Sequence, residues 1–176
     1  MPPPPKMAGL EVEVRITHSD WRRALRAPAA LCREAAAAAL ARGRAGRGRH
    51  SIAFLLTDDA EMRRLNRRYR GKNKPTNVLS FPAMPDERVA AGGTIPGTAR
   101  HLGDVALALE TVRREAKEQG KTVRSHVSHL AVHGVLHLIG HDHQNDAEAE
   151  AMEALETRIL AGLGIADPYR LTRDDR

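Results

Sequence analysis

The chain has 176 residues, and its 28 lysines and arginines against 22 acidic residues give a formal net charge of +6. This length predicts one domain with a substantial hydrophobic core, and the charge suits a polyanion such as nucleic acid, although it also fits any soluble basic protein. One Trp, two Tyr and two Phe argue against an aromatic platform for nucleic-acid bases, one Cys excludes an internal disulfide framework and fits a reducing compartment, and no apolar run approaches the roughly 20 residues of a membrane span.

The two ends of the chain differ in composition from its middle. Residues 1–9 begin with Met-Pro-Pro-Pro-Pro-Lys, which lacks the apolar stretch of a secretory signal and predicts a disordered polyproline lead. Residues 166–176 are polar, and we expect this tail to fray. The predicted domain therefore spans residues 10–165.

The first third of the chain predicts two strands around a helix. Leu10–Ile16 alternates apolar and charged residues, which indicates a half-buried strand, and Ile52–Leu56 is a short apolar run typical of a buried one. Between them, Trp21–Arg42 is predicted to be helical, with Pro28 near a break or a first turn. The connector at residues 42–49 is rich in Arg and Gly, and it is either a solvated loop or an arm that contacts phosphate.

A basic segment follows the second strand. Asp58–Glu61 resembles a capping box that begins a helix, and the spacing turns Met62, Leu65 and Tyr69 inward. Its outer face carries Arg63, Arg64, Arg67 and Arg68. The cations Arg70, Lys72 and Lys74 then precede a predicted strand at Val78–Phe81, and they either hold a phosphodiester or form an ordinary polar loop.

The remaining elements complete the prediction of the fold. Ala83–Arg100 is rich in Gly and Pro and predicts a long mobile loop, and Leu102–Leu109 predicts a strand with a bulge or close backbone approach at Gly103. Glu110–Gln119 and Ala147–Leu163 have helical patterns, as does the histidine-bearing segment between them. Strands interspersed with packing helices predict an α+β domain.

That histidine-bearing segment has the spacing of metal ligands. His133 and His137 lie four residues apart, on one face of a helix, and Gly140 can turn the chain so that His143 returns to them. Three imidazoles with a fourth position open are the coordination of a catalytic zinc ion, whereas chance or a buried core histidine explains this spacing poorly. His141 is expected to point outward.

The same spacing matches the H-x3-H-x2-G-x2-H pattern of the metzincin proteases. Their pattern has a glutamate after the first histidine, and that glutamate is the general base. This chain has Gly134 there, so the ligands of the protease are present without its base.

Four segments together resemble a known family. His133–His143 resembles the H-G-x-L-H-L-x-G-[YFH]-D-H signature of the YbeY-type rRNA maturation factors, and Leu65–Pro82 resembles their second signature. Leu102–Val105 is similar to their third signature, and Met152–Glu156 to their closing helix. Asn77 and His141 are mild departures, and the likeness runs from residue 52 to residue 164.

The resemblance implies a bacterial, cytoplasmic, zinc-dependent endoribonuclease specific for single strands. It would act on the 3′ end of small-subunit rRNA and in ribosome quality control. It implies one zinc ion per chain on His133, His137 and His143, and catalytic roles for Arg70 and His133. It also implies a small, mixed four-stranded sheet packed with about five helices and a zincin-like metal site. The expected partners are rRNA and the small ribosomal subunit, with ribosomal proteins or a GTPase as further candidates and no membrane.

The residues leave the mechanism and two rival functions open. A water nucleophile would leave a 5′-phosphate, whereas the RNA's own 2′-OH would leave a cyclic phosphate. Asp104 and Asp142 are candidates for the general base, or for orienting a ligand histidine. The rivals are a non-catalytic ribosome assembly factor with a structural zinc ion and, against the evidence of Gly134, a zinc peptidase.

Overall fold

The fold is organised around a mixed four-stranded sheet. The computed structural model describes residues 9–84 and 97–170, so residues 1–8 of the expected lead, residues 85–96 of the expected loop and residues 171–176 of the tail lie outside it. The strands are β1 (Leu10–Ile16), β2 (His50–Thr57), β3 (Val78–Pro82) and β4 (Arg100–Ala108). Their order is β1-β2-β4-β3, and only β3 runs antiparallel to its neighbour. The predicted mixed sheet is therefore confirmed.

Six helices accompany the sheet in the described part of the chain. They are α1 (Trp21–Ala24), α2 (Pro28–Gly43), α3 (Asp59–Arg70), α4 (Leu109–Glu118), α5 (Val123–Leu138) and α6 (Asp146–Gly162). The sequence predicts about five helices, and residues 9–84 and 97–170 contain six. The difference arises because Trp21–Arg42, which is predicted as one helix, forms the two helices α1 and α2. Pro28 occupies the first turn of α2, where a missing N–H costs nothing, and the chain is extended at Leu25. No helix of the described ranges is both long enough and apolar enough to cross a membrane.

The main core lies between one face of the sheet and the helices α2, α5 and α6. Its fully buried side chains include Trp21, Ile52, Phe54, Leu107, Val135, Leu136 and Ile159. Helix α5 packs on α2, α4 and α6 and against the strands β3 and β4. Ten of its 16 residues are consequently buried. The α+β class predicted from the pattern is confirmed.

Helix α3 covers part of the opposite sheet face. Asp58 begins it as predicted, since its carboxylate accepts a hydrogen bond of 2.8 Å from the Glu61 N–H. Met62 is buried against β3 and β4. The inward prediction for Tyr69 is wrong, because its side chain is 56% exposed. Its ring meets the edge of Phe81, with 5.1 Å between ring centroids, and it lines an open groove instead of core.

The bulge expected in β4 occurs at Gly103. The pairing of β2 with β4 shifts register there, and Gly103 has φ +137°. A Cβ at this position would lie 2.2 Å from the carbonyl oxygen of Phe81, so only glycine allows β3 to approach. The close approach holds β3 in place beside α5.

Candidate metal centre

Helix α5 and the turn after it bring the three predicted histidines together. Thr122 begins the helix, since its hydroxyl accepts a hydrogen bond of 3.0 Å from the Ser125 N–H. Gly140 follows the helix with φ +92°, and the His141 N–H returns to the Leu136 carbonyl at 3.0 Å. This turn reverses the chain. His143 therefore comes back over the last turn of α5.

The distances within the triad suit a metal ion. One ring nitrogen from each of His133, His137 and His143 lies within 4.8 Å of the others, and the Nε2 atoms of His133 and His137 are 3.1 Å apart. Ligand nitrogens about 2.0–2.1 Å from a tetrahedral zinc ion lie roughly 3.3 Å from one another. The residues present therefore fit a three-histidine metal site, and the set has no competing thiolate because Cys32 is buried in the core.

The local charges favour the neutral imidazoles that a metal requires. Burial lowers the pKa of His137, and the neighbouring rings of His133 and His143 lower it further. A neutral ring presents a lone pair, whereas a protonated one cannot bind a cation. The burial of His137 and its closeness to the other two rings therefore favour the neutral form that binds a metal ion.

A buried carboxylate lies directly behind the triad. Glu156 of α6 is fully buried, and its Oε1 accepts a hydrogen bond of 2.6 Å from Nδ1 of His133. Its Oε2 accepts hydrogen bonds from Nε2 of His129, at 3.0 Å, and from the hydroxyl of Tyr169. Burial raises the pKa of this carboxyl, but the hydrogen bonds from His129 and His133 outweigh it and lower the pKa from 4.5 to about 2. Glu156 is therefore an anion in contact with the triad.

Sequence reasoning placed Glu156 only within a family motif and gave it no role. The available signal was a lone glutamate inside the apolar stripe of α6, between Met152 and Ile159. The expectation of a fraying tail also fails for its described part. Tyr169 is half-buried against Glu156, and Asp167 accepts a hydrogen bond of 2.9 Å from the Tyr169 N–H.

Of the two aspartates considered as general bases, one lies away from the metal centre and the other lies at its rim. Asp104 faces the groove beside Tyr69, on the sheet face away from the triad, so it cannot act at the metal centre. Asp142 is at the rim of the centre, but its carboxylate accepts the N–H of His143 at 2.8 Å and the amide of Gln144 at 2.6 Å. Those two hydrogen bonds lower its pKa. Within the residues that the structure describes, neither aspartate is hydrogen-bonded to a ring of the triad.

His141 points away from the triad, as expected. Its Nε2 lies 2.8 Å from the carbonyl oxygen of Gly43, at the end of α2. This contact ties the turn after α5 to the start of the Arg/Gly connector. His141 therefore braces the turn and leaves the other three rings to converge.

Arg70 and the three histidines line one open cavity. Its volume is about 470 Å³, and Ser80 and Asp142 also line it. Arg70 is exposed, and it donates one hydrogen bond of 3.1 Å from Nη2 to the Ser80 carbonyl. That bond uses one of the five guanidinium N–H donors, so the others remain for a ligand. Lys72 and Lys74 do not line this cavity.

The position of the missing protease base is closed to a side chain. A Cβ on Gly134 would lie 2.7 Å from Cγ1 of Val105 and 3.2 Å from Oγ of Ser80. The Ser80 hydroxyl also donates a hydrogen bond of 3.0 Å to the Gly134 carbonyl. Helix α5 thus approaches the sheet too closely for a glutamate here, and this is the physical reason for the departure from the metzincin pattern.

Comparison with known proteins gives the family. The family model described as Endoribonuclease YbeY matches residues 15–164. The chain is 55% identical to the endoribonuclease YbeY of Rhodopseudomonas palustris strain HaA2 over 158 residues, which are 89% of this chain and 80% of that one. It is 49% identical to that of Paramagnetospirillum magneticum over 160 residues, which are 91% and 96% of the two chains.

A solved structure supports the fold. The solution structure of TM1509 from Thermotoga maritima has a TM-score of 0.54 at 21% sequence identity, and the match covers 93% of each chain. The α+β fold described above is therefore also the fold of a solved structure. On the family model and its relatives, the chain belongs to the endoribonuclease YbeY family.

Proposed function

We propose that this protein is a zinc-dependent endoribonuclease that cleaves single-stranded RNA during maturation of small-subunit rRNA. One observation carries the proposal: the histidine triad and Arg70 open into the same cavity. A metal site beside a guanidinium suits phosphodiester cleavage, because both stabilise the charge that develops on phosphate.

The histidines would supply the metal ligands. His133, His137 and His143 each offer one ring nitrogen, and three neutral imidazoles leave the full charge of a divalent ion available to substrate. A bound zinc ion would act as a Lewis acid and would lower the pKa of water at the site to about 7. We propose one ion per chain. Nickel or copper would also bind such a set, so the metal must be identified in the isolated protein.

Arg70 would act on the phosphate, and His133 would act through its ligand nitrogen. The Ser80 carbonyl holds one end of the guanidinium, which leaves paired N–H donors for two phosphate oxygens. Its position beside the triad lets it stabilise negative charge at the phosphate. We assign no general base among the described residues.

Two observations support ribosomal RNA as the proposed substrate: the net charge of the chain and its similarity to endoribonucleases. The net charge of +6 and the arginines on the outer face of α3 favour a polyanion. The relatives are named endoribonucleases. The resemblance of the sequence motifs to rRNA maturation factors is the reason for proposing small-subunit rRNA in particular. We further propose that residues 10–165 act as one domain, that the protein works in the cytoplasm with the small ribosomal subunit, and that ribosomal proteins or a GTPase are its protein partners.

The test is cleavage of a 3′-labelled single-stranded fragment of small-subunit rRNA. Zinc-loaded protein should cut it, whereas the chelated protein and His137→Ala should not, with circular dichroism showing that all are folded. Product ends then distinguish the nucleophiles, since a 5′-phosphate indicates water and a cyclic phosphate indicates the 2′-OH. If folded, zinc-loaded protein leaves every RNA intact, the nuclease proposal fails and a non-catalytic assembly role replaces it.

A peptidase on the same scaffold is the weaker alternative. The packing at Gly134 excludes the glutamate base, so zinc-loaded protein should leave casein intact under the conditions in which it cuts RNA.

A further inference from the structure

The contacts behind the metal centre form a connected network. His133 donates from Nδ1 to one oxygen of Glu156, at 2.6 Å, so its Nε2 is left to face Nε2 of His137, 3.1 Å away. A hydrogen bond at one ring nitrogen decides which nitrogen keeps the lone pair, and it also sets the plane of the ring. Glu156 therefore determines both features of His133.

Glu156 is itself held from its other oxygen. Nε2 of His129 and the hydroxyl of Tyr169 both bond to Oε2, and they lie 3.0 Å from each other. The two rings meet edge to face, with 5.2 Å between centroids. A carboxylate gripped at both oxygens cannot rotate, so the orientation of His133 depends on residues outside the triad.

Tyr169 brings the C-terminal segment into this network. The segment is anchored at the two residues before the tyrosine: Lys121 donates a hydrogen bond of 2.8 Å to the Pro168 carbonyl, and Asp167 accepts one from the Thr157 hydroxyl. These hydrogen bonds hold the chain after α6 in place next to Glu156.

We propose that Glu156, held in turn by Tyr169 and His129, is a positioning residue that sets the tautomer and orientation of His133 for metal binding. The inference rests on the metal centre proposed above. Its specific consequence is that a hydroxyl in the C-terminal segment controls metal affinity without touching the metal.

The experiment measures metal binding directly and uses no RNA. The dissociation constants for Zn²⁺ and Co²⁺ are obtained by competition with a chelator, and the visible absorption bands of the Co²⁺ protein report ligand geometry. The variants are Glu156→Gln, which keeps the shape but removes the charge, and Tyr169→Phe, which removes one hydroxyl. The matched controls are Glu150→Gln, on the exposed side of the same helix, and Tyr69→Phe, at an exposed tyrosine.

We expect Glu156→Gln to weaken metal binding about 10- to 100-fold and to change the Co²⁺ spectrum. Tyr169→Phe should weaken it less, about 3-fold or more, and this loss should shrink in the Glu156→Gln background because the hydroxyl acts through the carboxylate. Both controls should bind like the unaltered protein.

Affinities and spectra equal to those of the controls, in folded variants, would overturn the inference. If Glu156→Gln does not fold, Tyr169→Phe alone decides, since losing one hydroxyl leaves the packing of the ring in place. The proposed nuclease function is judged separately: it fails if metal-loaded protein does not cut RNA, whatever these variants do.

Discussion

Gly134 offers the sharpest test of how closely α5 packs on the sheet. In Gly134→Ala the new methyl group would lie 2.7 Å from Cγ1 and 3.3 Å from Cγ2 of Val105, which is fully buried and β-branched and so cannot swing aside. Overpacking of this kind costs about 1–3 kcal/mol. Alanine is about 1 kcal/mol more favourable than glycine in a helix, and this offsets part of the cost. The net loss in the free energy of unfolding should be about 1 kcal/mol.

The sign of the effect should reverse when the obstacle is removed. Val105→Ala deletes both methyl groups of Val105 that clash and leaves only the Ser80 hydroxyl, 3.2 Å from the new methyl group, so Gly134→Ala in that background keeps most of its propensity gain of about 1 kcal/mol. The coupling energy between the two positions is then about 2 kcal/mol, within the range for residues in contact.

The assay is urea unfolding of the four metal-free proteins, followed by circular dichroism. Each free energy of unfolding is extrapolated to water at one pH, and the slopes are compared to verify that the transitions are equivalent. If Gly134→Ala destabilises both backgrounds equally, Val105 is not the obstacle. The explanation of the missing glutamate by packing against Val105 would then be refuted.

Three further predictions concern separate parts of the molecule. Arg70→Ala should lower RNA cleavage by about 100-fold or more, because it removes donors to the developing charge, while bound zinc is unchanged on metal analysis; retained activity would remove Arg70 from the mechanism. Cys32 is fully buried, and burial raises its pKa to about 12, so a thiol reagent should label it only as fast as the protein unfolds, and rapid labelling in the native protein would contradict this. The depressed pKa of Glu156 stabilises the fold fully above pH 4.5 and loses this contribution as the pH falls towards 2, so acid titration of the metal-free protein should show a smaller loss of stability over that range in Glu156→Gln than in Glu150→Gln.

The local features of this chain could be predicted from its sequence. The break at Pro28 and the bulge at Gly103 follow from the backbone preferences of single residues. The convergence of His133, His137 and His143 follows from helical spacing and one glycine turn. Such features depend on neighbours in the sequence, which is why residue patterns are sufficient for them.

Features that depend on packing between distant segments were missed. Glu156 meets His133 only because α6 lies against α5, and Tyr169 reaches it only because the following chain folds back. Asp104 was considered for the metal centre, but it pairs with Phe81 across β3 and β4 and shares its sheet face. Alternating side chains point to opposite faces of a strand, so this placement depends on a register that the sequence does not state. Tyr69 was predicted inward because the helical period does not show where the sheet beneath it ends.

The most direct test of the account is a titration of metal-free protein with zinc, in which RNA cleavage and bound metal are measured on the same samples. We predict that cleavage of the single-stranded rRNA fragment rises in proportion to bound zinc and saturates at one ion per chain, and that His137→Ala neither binds zinc nor cuts the RNA. Cleavage that persists at full strength in the metal-free protein would contradict it, as would a fully loaded, folded protein that leaves the RNA uncut.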